Sequence, residues 1–186
     1  RGDSRAWGQW LQDIIRADAR GGSQRTDRTR FLAADATLKL AEGHHAVYKR
    51  ARLGHPLKST LKNKKTLLQT TIKAYETAIQ YRVAEVTTSA TYQIGELYRD
   101  FARSLMTSSP PPGLRGDALE EYKILLEDQA FPFEEKSISI HVANVKQIRE
   151  GIYDKWVKNS LEKLKKLQPA RYAKDEKVDN YVQAIH

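Results

Sequence analysis

The chain has no cysteine among its 186 residues. Disulfides, thiolate metal ligands and a cysteine nucleophile are therefore excluded together. It also has no apolar run approaching the ~18 consecutive residues that a membrane-spanning helix needs. Its first residues, RGDSRAWGQW, contain neither an initiator methionine nor the apolar region of a signal peptide, so we expect a processed or excised piece of a longer protein.

Motifs that carry familiar catalytic or cofactor chemistry are also missing. The sequence has no P-loop, no G-x-G-x-x-G, no H-E-x-x-H and no G-x-S-x-G. His44 and His45 are adjacent, so on a helix their side chains point about 100° apart and cannot chelate one ion by themselves. The pair Glu120-Glu121 lies in a predicted first helical turn, where it complements the helix dipole. We therefore predict a non-enzymatic protein that needs no metal or cofactor.

The excess of positive over negative charge is confined to one part of the chain. Residues 1–66 hold 15 Lys and Arg against six Asp and Glu, whereas residues 67–186 hold 17 of each kind. A basic surface attracts acidic partners, so one hypothesis is an electrostatic adaptor that binds nucleic acid or anionic lipid through its N-terminal third. The ordinary alternative is a solvated helix surface.

Aromatic residues amid basic ones are a feature of proteins that stack on nucleic-acid bases. In this chain the aromatic residues fall on predicted apolar helix faces, which favours core packing and makes nucleic acid an unlikely partner. The residues concerned are Trp7, Trp10, Tyr75, Tyr98, Tyr122 and Trp156.

Apolar residues at spacings of three and four predict helices throughout, and no alternating run predicts a sheet. A first helix over residues 3–20 ends at Gly21-Gly22, and a second is capped by Thr26 or Asp27 and stopped by Gly54 and Pro56. Together they form a basic N-terminal unit, residues 1–56. Its second helix carries an apolar face of Phe31, Ala34, Leu38, Ala41, His45 and Tyr48.

The segment from Leu57 to Met106 has one glycine and no proline, and one helix of that length would lack caps. We therefore predict two antiparallel helices joined near Tyr81–Ala84. The small residues of TTSAT, at positions 87–91, favour close approach of a neighbouring helix.

Proline residues mark the rest of the chain. Residues 107–116 form a predicted loop, after which Asp117 caps a helix that Phe131-Pro132-Phe133 ends. A helix with apolar face Ile138, Val142, Val145 and Ile148 follows and stops at Gly151. The last helix runs from about Tyr153 to Pro169, and residues 170–186 form a polar tail.

Small and large residues recur at matching helical spacings. Thr71-x3-Tyr75-x2-Ala78, Ala118-x3-Tyr122-x2-Leu125 and Val157-x3-Leu161-x2-Leu164 share one pattern, and Ile94-Gly95-x2-Tyr98 supplies another. These motifs resemble the second and first helices of tetratricopeptide repeats. The intervals of 47 residues, from Thr71 to Ala118, and 39 residues, from Ala118 to Val157, exceed the standard period of about 34. Because 19 residues separate Tyr98 from Ala118, about twice what the family allows, the resemblance implies that residues 107–116 are an insertion between helices.

The resemblance covers about residues 57–176 and is closest to the C-terminal part of large tetratricopeptide-repeat proteins of Gram-negative bacteria. It implies an all-α fold of antiparallel helix pairs stacked as a degenerate α-solenoid over residues 57–169. It also implies a scaffold that binds a protein segment, not a small molecule, in a periplasmic or outer-membrane-associated assembly.

In that family the first helix of each pair lines the concave, client-binding surface. Carried onto this chain, the resemblance implies a protein-binding face on the helix that contains Gly95, where a neighbouring helix comes close and Tyr98 packs. The predicted contact residues are Tyr92, Glu96, Arg99, Asp100 and Arg103. The alternative interpretation treats their charges as ordinary pairs on a helix surface.

Overall fold

The computed structural model describes residues 3–173, which contain seven α-helices, two short 3₁₀ segments and no β-strand. The α-helices are α1 Asp3–Arg20, α2 Asp27–Arg50, α3 Leu57–Ile79, α4 Ala84–Met106, α5 Asp117–Val145, α6 Lys155–Leu167 and α7 Pro169–Tyr172. The 3₁₀ segments are Gly22–Gln24 and Lys146–Glu150. The predicted all-α class is confirmed. Within the described residues, no helix combines the length and apolar character needed to cross a membrane.

Most helix ends coincide with the breakers in the sequence. Thr26 is the cap of α2: its hydroxyl accepts from the Thr29 amide at 3.2 Å, and the Thr29 hydroxyl accepts from the Thr26 amide at 3.1 Å. Residues 107–116 form the predicted loop, but Gly116 caps α5 and Asp117 is its first helical residue. Gly151 adopts the left-handed conformation, φ 78°, that glycine tolerates without strain.

The predicted break between α3 and α4 is also confirmed. Helix α3 ends at Ile79, and Arg82 has φ 54°, a left-handed backbone that is uncommon for a residue other than glycine. The chain reverses within four residues and starts α4 at Ala84.

The predicted helix end at Phe131-Pro132-Phe133 is wrong, because Pro132 lies inside the 29-residue helix α5. A proline inside a helix gives up one backbone hydrogen bond. Packing holds the two halves together: Ala130 is completely buried, and the Phe133 ring lies 4.5 Å from that of Phe101 on α4. Tertiary contacts have overridden the local signal.

Each helix from α1 to α6 packs against the next one in the chain, and α4 also contacts both α2 and α6. The core lies around α3 and α4, where Tyr75, Leu97 and Phe101 are buried. Toward the C-terminus, α6 ends at Leu167, and Pro169 begins the short α7. The part of the predicted tail beyond residue 173 lies outside the described residues.

Helix α1 departs most from the predicted core. Trp7 and Trp10 were expected to pack inside, yet they are 51% and 54% exposed and their rings contact each other at 5.2 Å. Phe31 on α2 is exposed as well, whereas Leu11 is buried. The prediction is wrong for these three aromatic residues. Trp7 and Trp10 are exposed because α1 packs mainly on a single neighbour, α2, which covers only one side of it.

Candidate functional site

The five predicted contact residues lie on one face of α4, but their exposure differs. Arg103 is exposed, whereas Tyr92, Glu96, Arg99 and Asp100 are partly buried. Each of the five contacts at least one other charged or aromatic side chain within the described structure. The face therefore consists of side chains held by specific contacts and is not a row of independent solvated side chains.

Glu96 is the centre of this cluster. Arg99 contacts both of its carboxylate oxygens, at 3.1 and 2.7 Å, and the Lys163 ammonium on α6 donates to Oε2 at 2.8 Å. Nε2 of His141, on α5, lies 3.5 Å from Oε1. One carboxylate thus joins three helices through three basic side chains.

The pKa of Glu96 reflects this environment. Burial by itself raises the pKa of a carboxyl group, but the nearby His141 ring and the hydrogen bonds from Arg99 and Lys163 outweigh that effect and hold the pKa of Glu96 well below its usual range. Glu96 is consequently a fixed negative charge at neutral pH. A group that binds protons so weakly is poorly suited to general acid catalysis near neutrality.

Gly95 allows α5 to approach this part of α4. A Cβ atom at this position would lie 2.7 Å from Nε2 of His141, closer than real contacts allow. The Ser137 hydroxyl donates to the Gly95 carbonyl at 2.8 Å. The predicted close approach at Gly95 is confirmed, and it brings His141 within reach of Glu96.

A buried polar network continues from His141 toward α6. Nδ1 of His141 lies 3.2 Å from the Ser160 hydroxyl, and the Asn144 amide donates to that hydroxyl at 2.9 Å. Asn144 also donates to the Thr88 carbonyl at 3.1 Å, and the Thr88 hydroxyl donates to Asp154. The network fastens α4, α5 and α6 to one another.

Ser160, His141 and Glu96 lie in sequence along these contacts and have the residue types of a hydrolase triad. Ser160 and His141 are completely buried between α5 and α6. A substrate could reach the Ser160 hydroxyl only after these helices had separated. The arrangement is therefore suited to holding helices together, although Nε2 of His141 and Oδ1 of Asn144 are buried without a hydrogen-bond partner in the described structure.

Sequence reasoning missed this network because it placed the buried face of α5 one position too late. Ile138, Val142 and Val145 are only partly buried, and Ile148 is exposed, so the predicted apolar face is wrong. Ser137, His141 and Asn144 occupy the buried positions instead. Their spacing of four and three is itself helical, and that polar recurrence was the available signal.

Asp100 forms a second ion-pair cluster, one turn along α4 from Glu96. Its Oδ1 contacts Arg103 at 2.7 Å, and its Oδ2 lies 3.8 Å from the Lys64 ammonium on α3. Tyr92, at the opposite end of the face, packs its ring 5.5 Å from His141 and 5.4 Å from Trp156. Burial raises the pKa of the Tyr92 hydroxyl.

A second candidate surface lies between α3 and α5, with α4 beneath it. Phe101, Leu105, Leu126 and Phe133 line a cavity of about 200 Å³ there, and the Tyr122 hydroxyl is buried beside it without a hydrogen-bond partner in the described structure. Leu125, which the repeat pattern predicted to pack, is exposed at its edge. This apolar groove was not predicted.

No group of three or more His, Asp or Glu side chains within the described residues could hold a metal ion. Comparisons with protein-family models, with curated proteins and with solved structures find no match for the chain.

Proposed function

We propose that the chain is a non-enzymatic helical-repeat scaffold that binds a segment of another protein, within a bacterial cell-envelope assembly. The envelope location rests on the resemblance to Gram-negative tetratricopeptide-repeat proteins alone. One observation carries the scaffold proposal: α4 contacts α2 and α6 in addition to its neighbours in the chain, α3 and α5. Alternate helices that meet in this way are what a stack of antiparallel pairs requires.

The chemistry of the α4 face gives further support. Arg99 and Arg103 are held in place by Glu96 and Asp100, one turn earlier on the same helix, at 2.7 Å each. A guanidinium group has five N–H donors, so each arginine keeps donors for a partner while its orientation is already fixed. Arginine held in this way loses little conformational freedom on binding, and it is enriched among residues that dominate interface energies.

The proposal can be tested by capturing proteins from the envelope fraction of the source bacterium on the immobilised chain. We expect the Arg99→Ala, Arg103→Ala double variant to bind the captured protein at least tenfold more weakly than the wild type. The matched control is Arg115→Ala with Arg149→Ala, which removes two exposed arginines from other surfaces. Circular dichroism melting of each variant verifies that the fold is retained.

Equal capture by the wild type and the α4 variant would place the binding surface elsewhere, with the apolar groove between α3 and α5 as the next candidate. If neither surface is needed to capture any envelope protein, the scaffold proposal itself is contradicted.

The electrostatic adaptor is a second candidate, favoured by the charge of α3. Residues 57–75 contain five lysines and no acidic residue, and Lys58, Lys62 and Lys65 are exposed. An adaptor of this kind should bind nucleic acid or anionic vesicles with an affinity that falls steeply as salt rises. Two results together would favour the scaffold. The chain would retain a captured protein in about 0.5 M salt, and it would bind neither nucleic acid nor anionic vesicles.

A further inference from the structure

A polar cavity of about 320 Å³ lies where the C-terminal ends of α2 and α4 meet the N-terminal half of α3. Lys49 and Arg52 line it from the end of α2 and the following segment, and Lys64 lines it from α3. Asp100 and the hydroxyl residues Ser104, Thr107 and Ser108 complete its α4 side. The only acidic residue among the lining residues is Asp100.

Lys64 is unusual because its charge is buried with incomplete compensation. The residue is 3% exposed, and its ammonium makes one hydrogen bond, to the Ala51 carbonyl at 2.8 Å. It also lies 4.3 Å from the centre of the Tyr48 ring, and the nearest carboxylate oxygen, on Asp100, is 3.8 Å away. Burying an ammonium group is unfavourable unless opposite charge and hydrogen bonds replace its hydration.

The negative charge of Asp100 is shared between Lys64 and a second cation. Its other carboxylate oxygen binds Arg103 at 2.7 Å, so one negative charge serves two cations. Burial lowers the pKa of Lys64 from its ordinary value, and Asp100 opposes this only in part. The Lys64 ammonium thus has one hydrogen bond and only a shared carboxylate nearby, so the structure compensates its charge incompletely.

Lys49 and Arg52 add two further positive charges at the mouth of the cavity. Both are exposed, and neither forms an ion pair within residues 3–173. Three cations thus converge on a recess whose single carboxylate is shared with a fourth, Arg103. Three basic residues and one acidic residue line the cavity, and a concave site with an excess of one sign of charge concentrates counter-ions of the opposite sign.

We propose that this cavity is a binding site for a small phosphate-type oxyanion, such as inorganic phosphate or diphosphate. A guanidinium group and two ammonium groups around one recess match an anion that accepts several charge-assisted hydrogen bonds. Because Lys64 lines the recess and is only 3% exposed, a small free anion can approach it more readily than a headgroup held in a bilayer. The proposal does not rest on the proposed protein-binding function, although Asp100 belongs to both surfaces.

Calorimetric titration of the intact chain with inorganic phosphate and with diphosphate, at constant ionic strength set by sodium chloride, tests the site. We expect saturable binding that Lys49→Ala with Arg52→Ala weakens at least tenfold. The matched control, Lys58→Ala with Lys62→Ala, removes the same charge from exposed positions of α3 outside the cavity and should change the affinity less than twofold. The Lys64→Met variant should bind no phosphate if it folds. If it does not fold, the affinity of the Lys49→Ala, Arg52→Ala variant decides whether the cavity is the binding site.

A second readout locates the bound anion. In ¹H–¹⁵N spectra, phosphate should shift the backbone amides of Arg52, Ser104 and Ser108, and leave those of Lys58 and Lys62 unchanged. Equal loss of affinity in both double variants would show diffuse attraction to the basic surface and overturn the proposal, as would the absence of saturable binding. Tight binding to phosphatidylglycerol vesicles without binding of free phosphate would assign the surface to lipid and also overturn it.

Discussion

Helices α1 and α4 both carry an amphipathic pattern of apolar residues, yet their surroundings are opposite. Helix α4 contacts four other helices, and its residues Ile94, Leu97 and Phe101 are buried. Helix α1 packs mainly on α2 and leaves Trp7 and Trp10 more than half exposed. The same periodicity therefore gives a core element in one place and an apolar surface in the other, and the number of neighbouring helices makes the difference.

The polar residues of the two helices differ in the same way. On α4, Glu96 is bound by side chains from α4, α5 and α6, and little of it reaches solvent. On α1, Asp13 pairs with Arg16 one turn later, and both remain largely exposed. Ion pairs at a helix junction connect elements distant in the chain, whereas a pair within one exposed turn contributes little to the stability of the fold.

Removing an apolar side chain from each helix gives the largest expected contrast. Leu97→Ala should lower the free energy of unfolding by about 3 kcal/mol, because Leu97 is completely buried and its removal leaves a cavity. Trp7→Ala should lower it by less than about 1 kcal/mol, although it removes a larger side chain. Urea denaturation followed by circular dichroism measures both. A similar cost for the two variants would mean that Trp7 is covered in solution.

A glycine on each helix provides the next comparison. Gly95→Ala should destabilise the fold by about 2 kcal/mol, because the added methyl group would press against the buried ring of His141. Gly8→Ala should instead stabilise it by about 0.5 to 1 kcal/mol, since nothing lies within 4 Å of the added atom and alanine is the better helix former.

Thermal and urea unfolding of the two alanine variants measures these opposite signs. If Gly95→Ala were as stable as the wild type, α5 would have to lie farther from α4 than the Ser137–Gly95 hydrogen bond allows. The double variant should show additive effects, because Gly8 and Gly95 share no contacts.

The acidic residues give the smallest contrast between the two helices, and it has a distinct pH dependence. The pKa of Glu96 is lower in the folded state than in the unfolded chain, so its contribution is complete above about pH 5 and is lost as the pH falls below the unfolded value of about 4.3. Glu96→Gln should cost about 1.5 kcal/mol at pH 7. The difference from the wild type should shrink at pH 3.

Asp13→Asn is the control for this titration, because it removes an exposed carboxylate from α1. Its effect should stay within about 0.5 kcal/mol at both pH values. A Glu96→Gln variant whose deficit is the same at pH 3 and pH 7 would show that steric packing, and not the ionised carboxylate, is what the junction requires.

Local sequence signals were sufficient where the chain is exposed and breakers are strong. Gly21-Gly22, the loop at 107–116 and Gly151 each ended an element where predicted. They failed inside α5, where the apolar set beginning at Ile138 and the polar set beginning at Ser137 have the same helical spacing. A one-dimensional pattern cannot decide between two such faces, because the choice depends on hydrogen-bond partners from α4 and α6.

The candidate site was also predictable only in part. The glycine and its flanking charged residues on α4 were identifiable from the sequence, since a small residue at the centre of an amphipathic helix indicates close packing. The partners that define their chemistry were not: Lys163 is 67 residues from Glu96, and Lys64 is 36 residues from Asp100. Their charges were visible in the sequence, but not their convergence.

By itself, the sequence determined that this protein is helical, where most of its helices begin and end, and that its net positive charge lies in the first third. Those properties depend on nearest-neighbour geometry, capping and composition, which act over a few residues. Only the tertiary structure decided that Trp7 is exposed, that His141 is buried, that Pro132 stays within a helix and that Lys64 faces a basic cavity. Each of these depends on how many other helices surround a position, and burial and pairing energies are set by that surrounding, not by the residue itself.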